Sequence, residues 1–164
     1  MNTTDYIRMT LENGSGWLRA LITDIKDAPM TAPTPNGGNH PLWVLGHLVH
    51  SDSNLLDVFI LGKENRFPEL ENCKAGSTVS TNENDYPSFD ELLAKHEEIQ
   101  NAALDHLATL SDEDLDQKSN GPPEFEQYFG TVGACFAAMA SHMAFHNGQV
   151  ADARRAAGRE PLMG

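Results

Sequence analysis

The sequence has no long apolar run, few cysteines and few basic residues. No stretch approaches the roughly 20 apolar residues that a helix needs to cross a bilayer, and the opening MNTTDYIRMT has no basic start followed by an apolar core. Cys73 and Cys135 are too few to staple a small secreted fold, and a reducing compartment would leave both as thiols. We therefore expect a cytoplasmic protein without a membrane segment.

Acidic residues outnumber basic ones, 24 to 11, which gives a formal net charge of −13. Such a surface repels the phosphates of nucleic acids and anionic lipids, so a general nucleic-acid-binding role is disfavoured. The 164 residues, 40% of them hydrophobic, suffice for one hydrophobic core and are few for two. We expect a single domain over residues 1–164.

Apolar residues recur at intervals of three and four in four long segments, which is typical of helices. Thr3 or Thr4 is expected to cap the first segment, Ser88 and Glu91 form a capping-box pattern, and Gly158 suits the end of the last. SDEDL at 111–115 adds a short turn. With no alternating strand pattern and a long connection over 62–87, the sequence predicts an all-α four-helix bundle with long crossover connections. The predicted helices cover residues 3–27, 41–61, 89–110 and 131–157.

Two histidines of the last predicted helix share one face. His142 and His146 lie about 40° apart around the helix and about 6 Å apart along its axis. The same face carries apolar residues, so both imidazoles need partners away from water, and a metal ion is one candidate. The pair alone is a weak signal for a metal site.

The second predicted helix offers a third ligand in the sequence GHLVH. His47 lies at the border of that helix's apolar face, whereas His50 falls nearer the polar side. We therefore prefer His47 as the ligand, and expect His50 to face solvent or to support the site. Asn54, on the same face as His47, either lines the same cavity or is exposed.

Other polar residues leave open questions about the site. His96 is a possible fourth ligand, but a hydrogen-bonded core histidine is the simpler interpretation. Cys135 shares the ligand face and is a thiolate ligand, a nucleophile or a small core residue. The general base is not identified, because Asp52, Asp57 and Glu64 all lie near the second helix and sequence does not choose among them.

A stripe of small residues on the opposite side of the last helix would allow a close approach of backbones. It either packs within the bundle or forms a two-fold dimer interface. Its members are Gly133, Ala137, Ala140, Ala144, Gly148 and Ala151.

Three motifs together resemble the DinB/YfiT-like superfamily: W..GHL, H...H.GQ and RR..GR. They are carried by Trp43, Gly46, His47 and Leu48, by His142, His146, Gly148 and Gln149, and by Arg154, Arg155, Gly158 and Arg159. The resemblance implies a four-helix bundle, commonly a homodimer, with a divalent metal, often zinc or nickel, held by His47, His142 and His146. It also implies relatives that are metal-dependent hydrolases or transferases using low-molecular-weight thiols.

Three neutral imidazoles leave an open coordination position, the arrangement found in catalytic zinc sites. Water or a thiol bound there becomes a nucleophile at neutral pH. The leading hypothesis is thus a metal-dependent hydrolase or thiol transferase, with the 62–87 connection helping to enclose the site. Two alternatives remain: a stress-related protein that binds metal or a small ligand without turnover, and an interaction module whose histidines are structural.

Overall fold

The computed structural model describes residues 1–34 and 37–162. Within these residues no β-strand forms, and a single isolated bridge joins Lys118 to Thr131. The all-α fold expected from sequence is therefore confirmed. The α-helices are α1 Thr3–Thr23, α2 Pro41–Ser53, α3 Phe89–Leu107, α4 Glu126–Phe129 and α5 Val132–Ala156, with short 3₁₀ turns at Pro68–Cys73, Glu83–Asp85, Glu113–Asp116 and Pro123–Phe125.

The helix ends follow the predicted signals in most places. Ser88 and Glu91 form the predicted capping box at α3, and Gly158 takes the left-handed conformation, φ +75°, after α5. The helices α1 and α3 each end about one turn earlier than predicted. The 111–115 segment forms the expected short turn of helix, at Glu113–Asp116.

The cap of α1 differs from the prediction. Asn2, rather than Thr3 or Thr4, accepts a hydrogen bond from the backbone N–H of Asp5 at 2.8 Å. The two threonines lie inside the first turn, where their backbone N–H groups donate to the carboxylate of Asp112. The Asp112 carboxylate accepts from the N–H groups of Thr3 and Thr4, which have no partner within the helix. The prediction was wrong because the helix therefore begins at Thr3 and leaves the capping position to Asn2.

The second predicted helix is α-helical only as far as Ser53. It continues to residue 60 as a wider π-helical segment, Asn54–Ile60, in which the Leu61 N–H donates to the Leu56 carbonyl at 2.9 Å. Gly62 then ends the segment in the left-handed conformation, with φ +63°. Such segments are rare and recur at functional sites.

The core lies between α1 and α5 on one side and α2 and α3 on the other, and its buried side chains form one hydrophobic cluster. Fully buried members include Leu11, Leu48, Ile99 and Phe136. Across the described ranges, no helix is long and apolar enough to cross a membrane.

The small-residue stripe of α5 divides between two environments. A side chain at Gly133 would meet Leu115 at 3.1 Å, and Ala140 and Ala151 pack against the core. Packing within the bundle therefore accounts for those members. The others, Ala137, Ala144 and Gly148, are exposed.

Candidate metal centre

Three histidines from two helices meet at one point. The Nε2 atom of His142 lies 3.1 Å from Nε2 of His47 and 2.9 Å from Nε2 of His146. One nitrogen from each ring lies within 4.8 Å of the others. The structure thus brings together the three residues predicted as ligands. His47 and His146 are buried and His142 is half-buried.

Packing fixes the planes of two of these rings. His47 stacks on Trp43, one turn earlier in α2, with ring centroids 4.5 Å apart and planes within 9°. The exposed Phe145 ring meets His146 edge to face at 5.2 Å. Aromatic contacts of this kind restrict ring rotation, so the nitrogens stay directed at one another.

Hydrogen bonds select the tautomers of His47 and His146. The His47 Nδ1–H donates to the backbone carbonyl of Cys73 at 2.8 Å, and the His146 Nδ1–H donates to the Gln149 side-chain oxygen at 2.9 Å. In a neutral imidazole with its proton on Nδ1, Nε2 carries a lone pair. Both rings therefore present acceptors toward His142, as metal-binding histidines do.

This donor set fits a metal ion better than it fits a closed hydrogen-bond network. A proton on His142 Nε2 can serve either His47 or His146, and the other contact would then place two lone pairs about 3 Å apart. A tetrahedral zinc site with Zn–N bonds of about 2.0–2.1 Å places its nitrogens roughly 3.3 Å apart. The two Nε2 separations in the structure are close to that spacing.

All three imidazoles are held in the neutral form. Burial, reinforced by the neighbouring histidines, lowers the pKa of His142 and of His146 to about 4. Burial also lowers the pKa of His47. Neutral imidazole is the form that binds metals, so protons do not compete for the site near neutral pH.

The connection over 62–87 forms one wall of the site. Its turn Pro68–Cys73 packs on α2 at Gly46, where an added Cβ would lie 2.7 Å from the Cys73 sulfur. The missing side chain lets the Cys73 carbonyl come within reach of His47. At the start of α2, His40 caps the helix and donates from Nε2 to the Ser80 carbonyl. This hydrogen bond fixes the part of the connection near Ser80.

A cavity of about 1270 Å³ opens onto His47 and His142 of the cluster and is bounded by α2, its π-helical continuation, α4 and α5. Asn54 lines it, which confirms that interpretation of the sequence. The connection contributes Asn65, Pro68, Glu71, Lys74 and Ala75, so it covers a site as expected.

His50 does not face solvent, so that part of the prediction was wrong. Its side chain is buried, with 6% of the residue exposed, because Pro68–Cys73 covers the polar side of α2. Its Nε2 lies 3.3 Å from a carboxylate oxygen of Glu71, and both residues line the cavity. The other alternative for His50, a position that supports the site beside His47, stays a prediction.

His96 and Cys135 lie outside the histidine cluster. His96 is buried on α3, and its Nε2 has no hydrogen-bond partner in the described part of the chain, contrary to the hydrogen-bonded histidine expected. Cys135 is buried with its Sγ 3.4 Å from the Phe129 carbonyl, and burial raises the pKa of its thiol to about 11. It is a core residue and does not supply a thiolate.

The three acidic residues considered as general bases do not border the cavity. The Asp57 carboxylate accepts hydrogen bonds from Arg66 at 2.8 and 2.6 Å, Asp52 is fully buried against Gln100, and Glu64 is exposed. Among the described residues that line the cavity, Glu71 is the one with a carboxylate, and no sequence pattern indicated it. It lies in an aperiodic segment, where no spacing signal indicates which residues point inward.

The fold and site define a class: a helical bundle with three converging histidines, of which His47 and His142 border an open cavity. The DinB superfamily matches the chain over residues 11–150. The chain belongs to the DinB superfamily. A comparison with curated proteins finds no match. Family membership and the histidine cluster together suggest a divalent metal site.

Proposed function

We propose that this chain is a metal-dependent enzyme, a hydrolase or a thiol transferase, whose divalent ion is held by His47, His142 and His146. The observation that carries the proposal is the convergence of three Nε2 atoms at the end of a cavity large enough for a substrate. Imidazole donors suit both zinc and nickel, and we propose one of these as the ion.

Bound there, the ion would supply Lewis acidity that activates water or a thiol as a nucleophile at neutral pH. The chain's own residues divide the remaining tasks. Cys73 and Gln149 hold two ligands in the ligating tautomer through their oxygen atoms. His50 and Glu71, 3.3 Å apart, stand at the cavity beside His47, where they can hold a proton or orient a polar group of the substrate.

Elemental analysis of the purified protein and of His146→Ala tests the metal site. We expect close to one equivalent of metal in the parent protein and a large loss in the variant, because two imidazoles bind far more weakly than three. His106→Ala is the matched control, since His106 lies outside the cavity. Undiminished metal in His146→Ala would contradict the proposal. Metal without turnover on ester, amide and thiol-transfer substrates would favour a binding protein.

We also propose a cytoplasmic homodimer formed through the exposed side of α5. Phe145 is 65% exposed and stands beside the exposed Ala144 and Gly148, so a second helix could approach closely there. Phe145→Glu should yield monomers in sedimentation analysis because it places a charge in that contact. A dimer that persists unchanged would exclude this face.

The proposed cytoplasmic location rests on the cysteines. A reducing compartment suits Cys73 and Cys135, both of which are unpaired.

A further inference from the structure

The cavity is elongated, and its polarity changes from one end to the other. Along α5 its lining runs from His142 back to Ala134, a distance of about 12 Å at 1.5 Å per residue. Along α2 and its continuation, the residues nearest the cluster are polar, as His50 is, whereas Leu55 and Phe59 are apolar. His47 and His142 thus lie at a polar end, and the opposite end is mainly apolar, with Gln127 as a polar residue in its lining.

The far end is an aromatic cluster, defined by Phe59, Phe125, Tyr128 and Phe129. Phe129 lies 5.6 Å from Phe59 and 6.2 Å from each of Phe125 and Tyr128, measured between ring centroids. Phe125 is 47% exposed and Tyr128 is 60% exposed, although both border the cavity. Covering this aromatic surface with an apolar group would be favourable.

The charges of the cavity lie at the polar end and are already paired. Among its described lining residues other than histidine, Glu71 and Lys74 carry charge, and they form an ion pair at 2.5 Å. Both flank Cys73, whose carbonyl contacts His47. The aromatic end therefore holds no charge to offset a charged ligand group, which would lose its hydration without compensation.

We infer that the substrate has a polar reacting head and an uncharged apolar tail, with the head at the three histidines and the tail, about 12 Å away at its far end, against the aromatic cluster. This inference rests on the proposed function, because the metal site defines which end holds the head. Small residues on the α5 side, Ala134, Ala137 and Ala138, leave width for the tail between the two ends.

A series of metal-binding probes tests the tail directly. The protein is loaded with Co²⁺, whose visible spectrum reports ligand binding, and titrated with acetyl, butanoyl, hexanoyl and octanoyl hydroxamic acids. Each added methylene should strengthen binding by about twofold to fourfold, since full burial of a methylene gives roughly fourfold and the cavity is partly open. The octanoyl probe carrying a terminal carboxylate should bind more weakly than the octanoyl probe itself.

Two variants locate the tail. Phe125→Ala and Tyr128→Ala should weaken octanoyl binding by about threefold to tenfold and leave acetyl binding unchanged, since each removes aromatic surface from the far end alone. Tyr6→Ala is the matched control, because Tyr6 is 54% exposed on α1 and lies outside the cavity.

The outcomes separate the two proposals. Protein that binds no Co²⁺ at the histidines overturns the proposed function, and this inference with it. Protein that binds Co²⁺ overturns the inference alone if affinity is independent of tail length, if no probe binds, or if Tyr6→Ala weakens octanoyl binding as much as Tyr128→Ala. Affinity that rises along the series and falls selectively in the two cavity variants supports it.

Discussion

Replacing Gln149 with leucine removes the acceptor that fixes one proposed ligand. The His146 Nδ1–H donates to the Gln149 oxygen at 2.9 Å, a normal distance for a good hydrogen bond. Without that oxygen, His146 either keeps an unpaired buried N–H or moves its proton to Nε2, where it blocks the lone pair that would bind the ion. Both outcomes weaken metal binding.

The expected loss of metal affinity follows from this hydrogen bond. A buried donor left without a partner costs about 1–3 kcal/mol, and loss of such an outer hydrogen bond typically lowers metal affinity by about tenfold to a hundredfold. We expect Gln149→Leu to fall in that range when metal is titrated against a chromophoric chelator at pH 7. Gln149→Glu should retain or increase affinity, because the carboxylate accepts the same hydrogen bond and adds negative charge.

The neighbouring Asn147 supplies a matched control. It also lies on α5, and its amide donates to the Gly14 carbonyl at 3.0 Å, away from the cluster. Asn147→Leu therefore disturbs helix packing without touching a ligand, and should leave metal affinity unchanged. Parent-like affinity in Gln149→Leu, or an equal loss in Asn147→Leu, would refute the assignment of Gln149 as the residue that orients His146.

Two further predictions concern buried titratable groups, His96 on α3 and Asp52 on α2. Burial lowers the pKa of His96 to about 4, so the unfolded chain takes up its proton first, and the stability present above pH 6.5 is lost as the pH falls toward 4. His96→Gln should therefore lose about 2 kcal/mol less stability than the parent between pH 7 and pH 5, measured by urea unfolding; equal losses would contradict this. Burial raises the pKa of Asp52 well above its usual value, so its contribution is most favourable below pH 3.8 and is lost as the pH rises toward the folded-state pKa. Within the described residues its Oδ1 and the Gln100 Oε1 lack partners. Asp52→Asn replaces the buried carboxyl with a neutral amide that can still accept from Gln100, so it should stabilise the protein at pH 7 by about 1 kcal/mol or more, with the gain shrinking in acid; a variant less stable at pH 7 would refute the reasoning.

The proposed ligands could be predicted because helical periodicity is strict. A spacing of four residues places His142 and His146 on one face whatever surrounds them. The position of His47 at the border of its helix's apolar face predicted it as the third ligand, and the family motifs indicate the same residue. Their convergence also requires α2 and α5 to be neighbours at matching heights, which the apolar pattern does not specify and the structure shows.

The surroundings of the ligands could not be predicted in the same way. His50 lies on the polar side of α2, and its burial depends on a turn from an aperiodic segment that packs at Gly46. The four-residue helix α4 is too short to show periodicity, so its place beside the cavity left no signal. Tertiary contacts decide both features.

The proposed ligands and much of the cavity wall come from different kinds of segment. The proposed ligands lie on two long helices whose positions are set by the hydrophobic core, whereas much of the cavity wall comes from α4 and from the connection over 62–87. Changes in α4 alter the shape and polarity of the cavity while leaving the three Nε2 atoms in place, whereas the connection also carries the Cys73 carbonyl that holds His47. Exchanging the aromatic residues of α4 should therefore change which molecules the cavity accepts before it changes how much metal the protein holds.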